Sequence, residues 1–196
     1  HVYAAELIKL GADIVPINYA MFDMKSQGRL KLEQLALSRI RYYVGGRIAV
    51  IDVTQSLIDS IHALPLQARV VKAFSEHETQ LAVHPLASHV LKKCLRSFDV
   101  EVVEPLTQSL VPQVVSIVQF QYGVVLIKTL YDCSPPPVQQ DLRERLFAVF
   151  ATVINQEYGN FIFQHFITEG VADYEDSRAR VLALLEQNLI AYCCHP

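Results

Sequence analysis

Gln121-Tyr122-Gly123-Val124-Val125-Leu126-Ile127-Lys128 is answered 36 residues later by Glu157-Tyr158-Gly159-Asn160-Phe161-Ile162-Phe163-Gln164. Tyrosine falls on tyrosine, glycine on glycine, and the aliphatic pair 126–127 on Ile162-Phe163. The register extends upstream, where Leu106, Leu110, Val114 and Val118 map to Leu142, Leu146, Phe150 and Ile154, and downstream, where Leu130 maps to Phe166. One step back finds Val70, Phe74, Leu81, Ala82, Ala87, Val90, Leu91 and Cys94 in the same columns. Three units therefore share one apolar pattern without a gap, which is how stacked repeats are written in sequence.

Inside each unit the apolar residues recur at helical spacing, as in Leu142, Leu146, Val149 and Phe150, and again in Ile162, Phe163 and Phe166. No alternating pattern of useful length competes, so the fold class is all-α. Each unit is expected to be a longer helix, a short turn, and a second helix starting near Pro85, Gln121 or Glu157. Ser134-Pro135-Pro136-Pro137 separates two units, since proline cannot continue a helix from within. One unit alone cannot cover its apolar faces; stacking covers them in a solenoid.

The clearest repeats are 66–101, 102–137 and 138–173, with a partial repeat over 174–196. In that last one Val181, Leu185 and Leu189 lie 39 residues beyond Leu142, Leu146 and Phe150, so three extra residues are expected in a polar turn around Asp173 to Ser177. Glu76-His77-Glu78 is expected on the exposed side of an outer helix. Tyr3-Ala4-Ala5-Glu6-Leu7-Ile8-Lys9 matches the second helix of a unit, and residues 11–65 are a degenerate region around Gly45-Gly46. The whole of 1–196 reads as a single domain whose ends, His1 and Cys194-His195-Pro196, are expected to be cut within repeats of a longer protein.

Composition narrows the class of function. Apolar residues are 52% of the chain and charged ones only 19%, which suits units covered by their neighbours and argues against disorder. A net charge of −3 speaks against a generally basic nucleic-acid binder, but leaves room for a locally basic face. Cys94, Cys133, Cys193 and Cys194 form no C-x-x-C pair and suggest neither a zinc ligand set nor a disulfide framework. Polar residues interrupt the long uncharged run from Pro105 to Ile127, so no membrane span is expected. His84 and His89 lack companion ligands, so no metal is expected, and no nucleophile elbow, phosphate loop or paired carboxylate suggests an enzyme.

Gln156-Glu157-Tyr158-Gly159-Asn160-Phe161-Ile162-Phe163-Gln164-His165 resembles the RNA-reading helix of a Pumilio (PUF) repeat. His84-Pro85-Leu86-Ala87-Ser88-His89-Val90-Leu91-Lys92-Lys93 resembles the His-Pro-opened version of that helix, and Gln121-Tyr122-Gly123 opens a third. The 36-residue period is also that family's. The resemblance covers residues 66–196 well, and the preceding stretch poorly.

It implies a right-handed α-α superhelix of the armadillo-like kind, with RNA on the concave side and one base read per repeat by two or three side chains. Asn160 and Gln164 occupy the edge-reading positions and Phe161 the stacking position, a combination similar to the family's uracil reader. Ser88, His89 and Lys92 are the corresponding trio one unit earlier but one, and Val124, Val125 and Lys128 the trio between; Ala5, Glu6 and Lys9 would be another. Lysine at the last reading position departs from the pattern and weakens base discrimination. Lys92, Lys93 and Arg96 are candidates for phosphate contact.

The expected function is sequence-selective binding of single-stranded, uracil-containing RNA, as in recognition of mRNA 3′ untranslated regions and translational control. The expectation includes a cytoplasmic location, protein partners on the convex face, and no cofactor. A Pumilio-like nucleolar protein acting in rRNA processing is one alternative, favoured by the off-pattern lysines. A HEAT-type protein scaffold without RNA binding is the other, favoured by the acidic net charge and by Val124 and Val125.

Overall fold

The structure, a computed structural model, describes residues 55, 58–59 and 61–193, with side chains up to 187. The segment 3–9 and nearly all of the degenerate region 11–65 lie outside these residues, and so do Ala5, Glu6 and Lys9. The described residues form helices and turns and no strand. The chain divides into two compact units, residues 1–107 and 108–196.

In the first unit, α1 (Leu64–Lys72), α2 (Glu78–Val83) and α3 (Ala87–Ser97) make one repeat. α4 (Val100–Leu110) runs across the boundary. The second unit continues with a 3-10 turn at Val111–Gln113, α5 (Val114–Ile117) and α6 (Gln121–Cys133). α7 (Pro136–Phe147), α8 (Phe150–Ile154) and α9 (Asn160–Phe166) form the next repeat, followed by α10 (Tyr174–Cys193). The first helices start at Leu64, Val100 and Pro136, which keeps the 36-residue period.

Each repeat thus holds three helices where two were expected. The expected long helix is broken at His77, Gln113 and Val149, which stand 36 residues apart and share near-zero ψ angles of 3°, 5° and 26°. That backbone region is sparsely used and interrupts the helical hydrogen-bond ladder. The three residue types have nothing in common, and the apolar stripe runs on across the break, so the sequence carries no mark of it. Glu76, with φ 70°, belongs to the first of these breaks, not to the exposed side of a continuous helix.

Most of the expected columns are the core, while Leu81, Val149 and Ile154 are only half-buried. Val70, Phe74, Ala82, Ala87, Val90, Leu91 and Cys94 are all buried in the first unit. In the second, Phe147, Phe150, Phe163, Phe166 and Tyr131 form an aromatic cluster, with centroids 4.7 Å apart for Phe150–Phe163 and 4.8 Å for Tyr131–Phe166. Each such side chain contributes about 1.5–3 kcal/mol by leaving water. The burial accounts for the repeat better than helix propensity does, because the middle helices are too short to stand alone.

Two glycines are required by packing. A Cβ on Gly123 would collide with the Ile117 carbonyl at the end of α5, and one on Gly159 would come within 2.7 Å of the Val153 carbonyl in α8. In these two repeats the glycines let the third helix start against the backbone of the middle one. Ala87 holds the same column in the first unit and is fully buried.

The extra residues before α10 sit in the loop 167–173, ahead of the turn where they were expected; residues 174–177 already belong to the helix, and Ser177 is buried. Arg143 sets this boundary. Its guanidinium is buried and pairs with Asp173 at 2.9 Å and Asp176 at 3.7 Å, while the Tyr131 hydroxyl donates to the Ala172 carbonyl at 2.9 Å. Glu175 and Asp176 in the first turn also suit the positive end of the helix dipole.

Candidate nucleic-acid interface

α9 opens at Asn160, directly after Tyr158-Gly159, and packs against α6. The Asn160 side-chain amide donates from Nδ2 to the Gln156 carbonyl at 2.9 Å and the Glu157 carbonyl at 3.1 Å. With both donors spent on backbone, its Oδ1 faces the other way, and there it accepts a hydrogen bond of 2.8 Å from Gln164 Nε2. The two carboxamides are therefore locked one helical turn apart. What remains for a ligand is acceptor capacity on both oxygens and one N–H of Gln164. Phe161, adjacent to Asn160, is 42% exposed. An aromatic ring left in water beside a preset polar pair is a surface on which a planar base can stack while its edge is held.

The same register on α6 holds Val124, Val125 and Lys128. Val125 is also 42% exposed, so the stacking position is open in both repeats of this unit. Lys128 is half-buried, and its ammonium lies 5.8 Å from the centroid of the Phe161 ring. Burial pushes its pKa below the usual lysine range, and Asp132 one turn on partly opposes that. In the first unit His89 is exposed and Lys92 half-buried. Burial, and then the charge of Lys92, lower the His89 pKa; burial, and then Arg96, lower that of Lys92.

Three of the residues named from the sequence sit in surroundings that the sequence did not indicate. Ser88 and Val124, expected to help hold a base edge, are in the interior with 1% and 3% exposure; the Ser88 hydroxyl has no partner there. A small or apolar side chain at this register turns into the packing, whereas the larger carboxamide of Asn160 stays half-exposed. Lys93, a candidate for phosphate contact, instead forms a 2.7 Å ion pair with Asp59.

Two other residues gain roles the sequence had hidden. His84 Nδ1 accepts the backbone N–H groups of Leu86 and Ala87, both at 3.2 Å, and so caps the start of α3. His165 Nε2 lies 2.8 Å from Asp132 Oδ1, tying α9 to α6 beside the candidate residues. The repeat register could have suggested the second pair, since it sets residues about 33 apart on adjacent third helices. Among the described residues no cluster of His, Cys, Asp and Glu could hold a metal ion, and no helix is long and apolar enough to cross a membrane.

No family model matches the sequence, and no curated protein matches it. Solved structures do match. The Puf3 RNA-binding domain bound to the Cox17 RNA 3′ UTR recognition sequence, site A, superposes with a TM-score of 0.80 over 98% of this chain and 57% of its own, at 16% identity. The chain has the Pumilio repeat fold. The Puf4 RNA-binding domain bound to the HO endonuclease RNA 3′ UTR recognition sequence is similar over 86% of this chain and 52% of its own, with a TM-score of 0.76 and 19% identity. The RNA-binding domain of yeast Puf5p bound to SMX2 RNA is similar over 89% and 50%, with a TM-score of 0.73 and 17% identity. The chain thus spans about half the length of the Pumilio-fold chains it matches.

Proposed function

We propose that this chain binds single-stranded RNA along the exposed side of its third helices, with no catalytic step and no cofactor. The observation that carries this reading is the Asn160–Gln164 carboxamide pair, held at 2.8 Å beside the exposed ring of Phe161. Phe161 supplies a stacking face, and the pair supplies an acceptor and a donor for the edge of the same base, which by resemblance is uracil. Similar solved domains are bound to 3′ UTR recognition sequences, which supports an mRNA target; a cytoplasmic site of action is part of the proposal.

The test is fluorescence anisotropy with short single-stranded RNAs that differ at one uracil, comparing the wild type with the Asn160→Ser/Gln164→Glu double variant. A switch of preference from uracil to guanine at one position is the expected result. RNA binding that the double variant leaves unchanged would remove Asn160 and Gln164 from the site. No RNA binding by the folded wild-type protein at low salt would sink the reading and leave the protein-scaffold alternative.

A second reading has an observation of its own. With Ser88 and Val124 buried, Lys92 and Lys128 stand without an edge-reading partner, which suits weakly selective binding to a large structured RNA such as rRNA in the nucleolus. Shallow base preference with a steep salt dependence would distinguish it.

A further inference from the structure

We infer that the repeat carrying Lys128 selects keto bases, uracil and guanine, over the amino bases adenine and cytosine. The inference rests on the RNA-binding function proposed above. Burial of Val124 at 3% exposure removes one of the two positions that could meet a base edge, and Lys128 is then the polar group left in that trio. Its ammonium sits over the Phe161 face at 5.8 Å from the centroid, and Val125 on the same helix is open to solvent. A base that stacks on Phe161 from the α6 side displaces the flexible lysine stem toward its own edge.

At that edge the chemistry is one-sided. An ammonium has three donors and no acceptor, so it gains only where the base presents an acceptor. Guanine offers O6 and N7 side by side and uracil offers O4; cytosine places an amino donor there, and adenine sets an amino donor beside its N7, so that an ammonium at N7 meets a donor where guanine would give it a second acceptor. Among the described residues the Lys128 ammonium has no ion pair within 4 Å; Asp132, the nearby carboxylate, is held by His165 at 2.8 Å. The ammonium is consequently available, and the partial burial that costs it hydration raises the premium on a good acceptor. In the other unit the same pattern recurs independently: Ser88 is buried, His89 is exposed and Lys92 stands alone at the last position.

The experiment is anisotropy titration of the intact protein with sets of four RNAs. Each set varies only the nucleotide adjacent to the uracil assigned to Asn160 and Gln164, on one side and then the other. On one side, affinity for uracil and guanine is expected to exceed that for adenine and cytosine by about fivefold to tenfold, the lower end of what a base-edge contact gives. Lys128→Glu, which offers only acceptors, should invert the order; Lys128→Met should erase it, with unchanged thermal unfolding as the control for folding. Equal affinity for all four bases on both sides overturns the inference while leaving RNA binding intact. So does a Lys128→Met variant that weakens all four equally and lowers the salt slope by about one, since that marks a phosphate contact. Failure of the wild type to bind any of the RNAs removes the proposed function itself.

Discussion

Gln164 Nε2 donates a 2.8 Å hydrogen bond to Asn160 Oδ1, one turn earlier on the same helix. The direction of that bond is set from behind, because the Asn160 amide nitrogen is already committed to two carbonyls of the preceding turn. A ligand meeting this pair finds groups whose orientation is fixed before it arrives, so less rotamer entropy is lost on binding.

Phe161 is the stacking member of the site and supports no core packing of note at 42% exposure. Phe161→Ala should weaken binding of a short uracil-containing RNA by about 1–3 kcal/mol, the range found for one base–aromatic stack. Its unfolding free energy should stay within about 0.5 kcal/mol of wild type, as for other surface substitutions. Anisotropy and urea unfolding on the same samples separate the two effects.

Gly123 makes the opposite case. Gly123→Ala would push a methyl into the Ile117 carbonyl, a backbone atom that cannot swing aside. A loss of about 1–3 kcal/mol in urea unfolding is expected, as for overpacking elsewhere. Gly170 has open space around it but φ of 89°, so Gly170→Ala costs only the backbone strain, about 1–2 kcal/mol.

Arg143 holds the loop before α10 from inside, with only 8% of its side chain exposed. Arg143→Ala takes the partner from Asp173 and Asp176, which stay in water, and opens a gap; about 1–3 kcal/mol should be lost. Arg143→Met, which keeps the volume and removes the charge, should lose distinctly less. Equal losses in the two variants would mean that the ion pair, and not the packing of the side chain, matters here.

Glu144 accepts hydrogen bonds of 2.6 and 3.1 Å from Arg180, whose guanidinium also lies over the Phe147 ring at 4.2 Å. The bond to Arg180 is the largest cause holding its carboxyl below the ordinary value of 4.5. A carboxylate whose pKa is depressed on folding stabilises the fold above its unfolded value, and that stability is lost as pH falls through the folded one. The difference in thermal midpoint between wild type and Glu144→Gln should therefore be full at neutral pH and should shrink below about pH 4.5. The group is exposed, so the effect is small, and added salt should reduce it further.

Much of this was legible in the chain. The tyrosine-glycine pairs at 122–123 and 158–159 gave the period, and the period gave the core: Leu106, Leu110, Leu142, Leu146 and their partners are buried as their columns require. Asn160, Phe161 and Gln164 stand at the repeat register within one turn, and all three lie on α9. Elsewhere the site was legible only in part. The columns of Val124 and Val125 are adjacent, and nothing in the residue type separates the buried one from the exposed one.

By itself, then, the sequence determined the helical class, the 36-residue repeat and the apolar columns, because burial imposes a periodicity that survives wide divergence of the surface. Only the tertiary structure decided which side chains near the edge of each column reach solvent. Successive helix residues point about 100° apart, and whether such a direction ends in water depends on which element lies beside it. The breaks at His77, Gln113 and Val149, the Arg143 anchor and the His165–Asp132 tie belong to the same class. Each is a contact between segments about 30 residues apart, or a backbone adjustment that permits one, and local sequence carries no record of it.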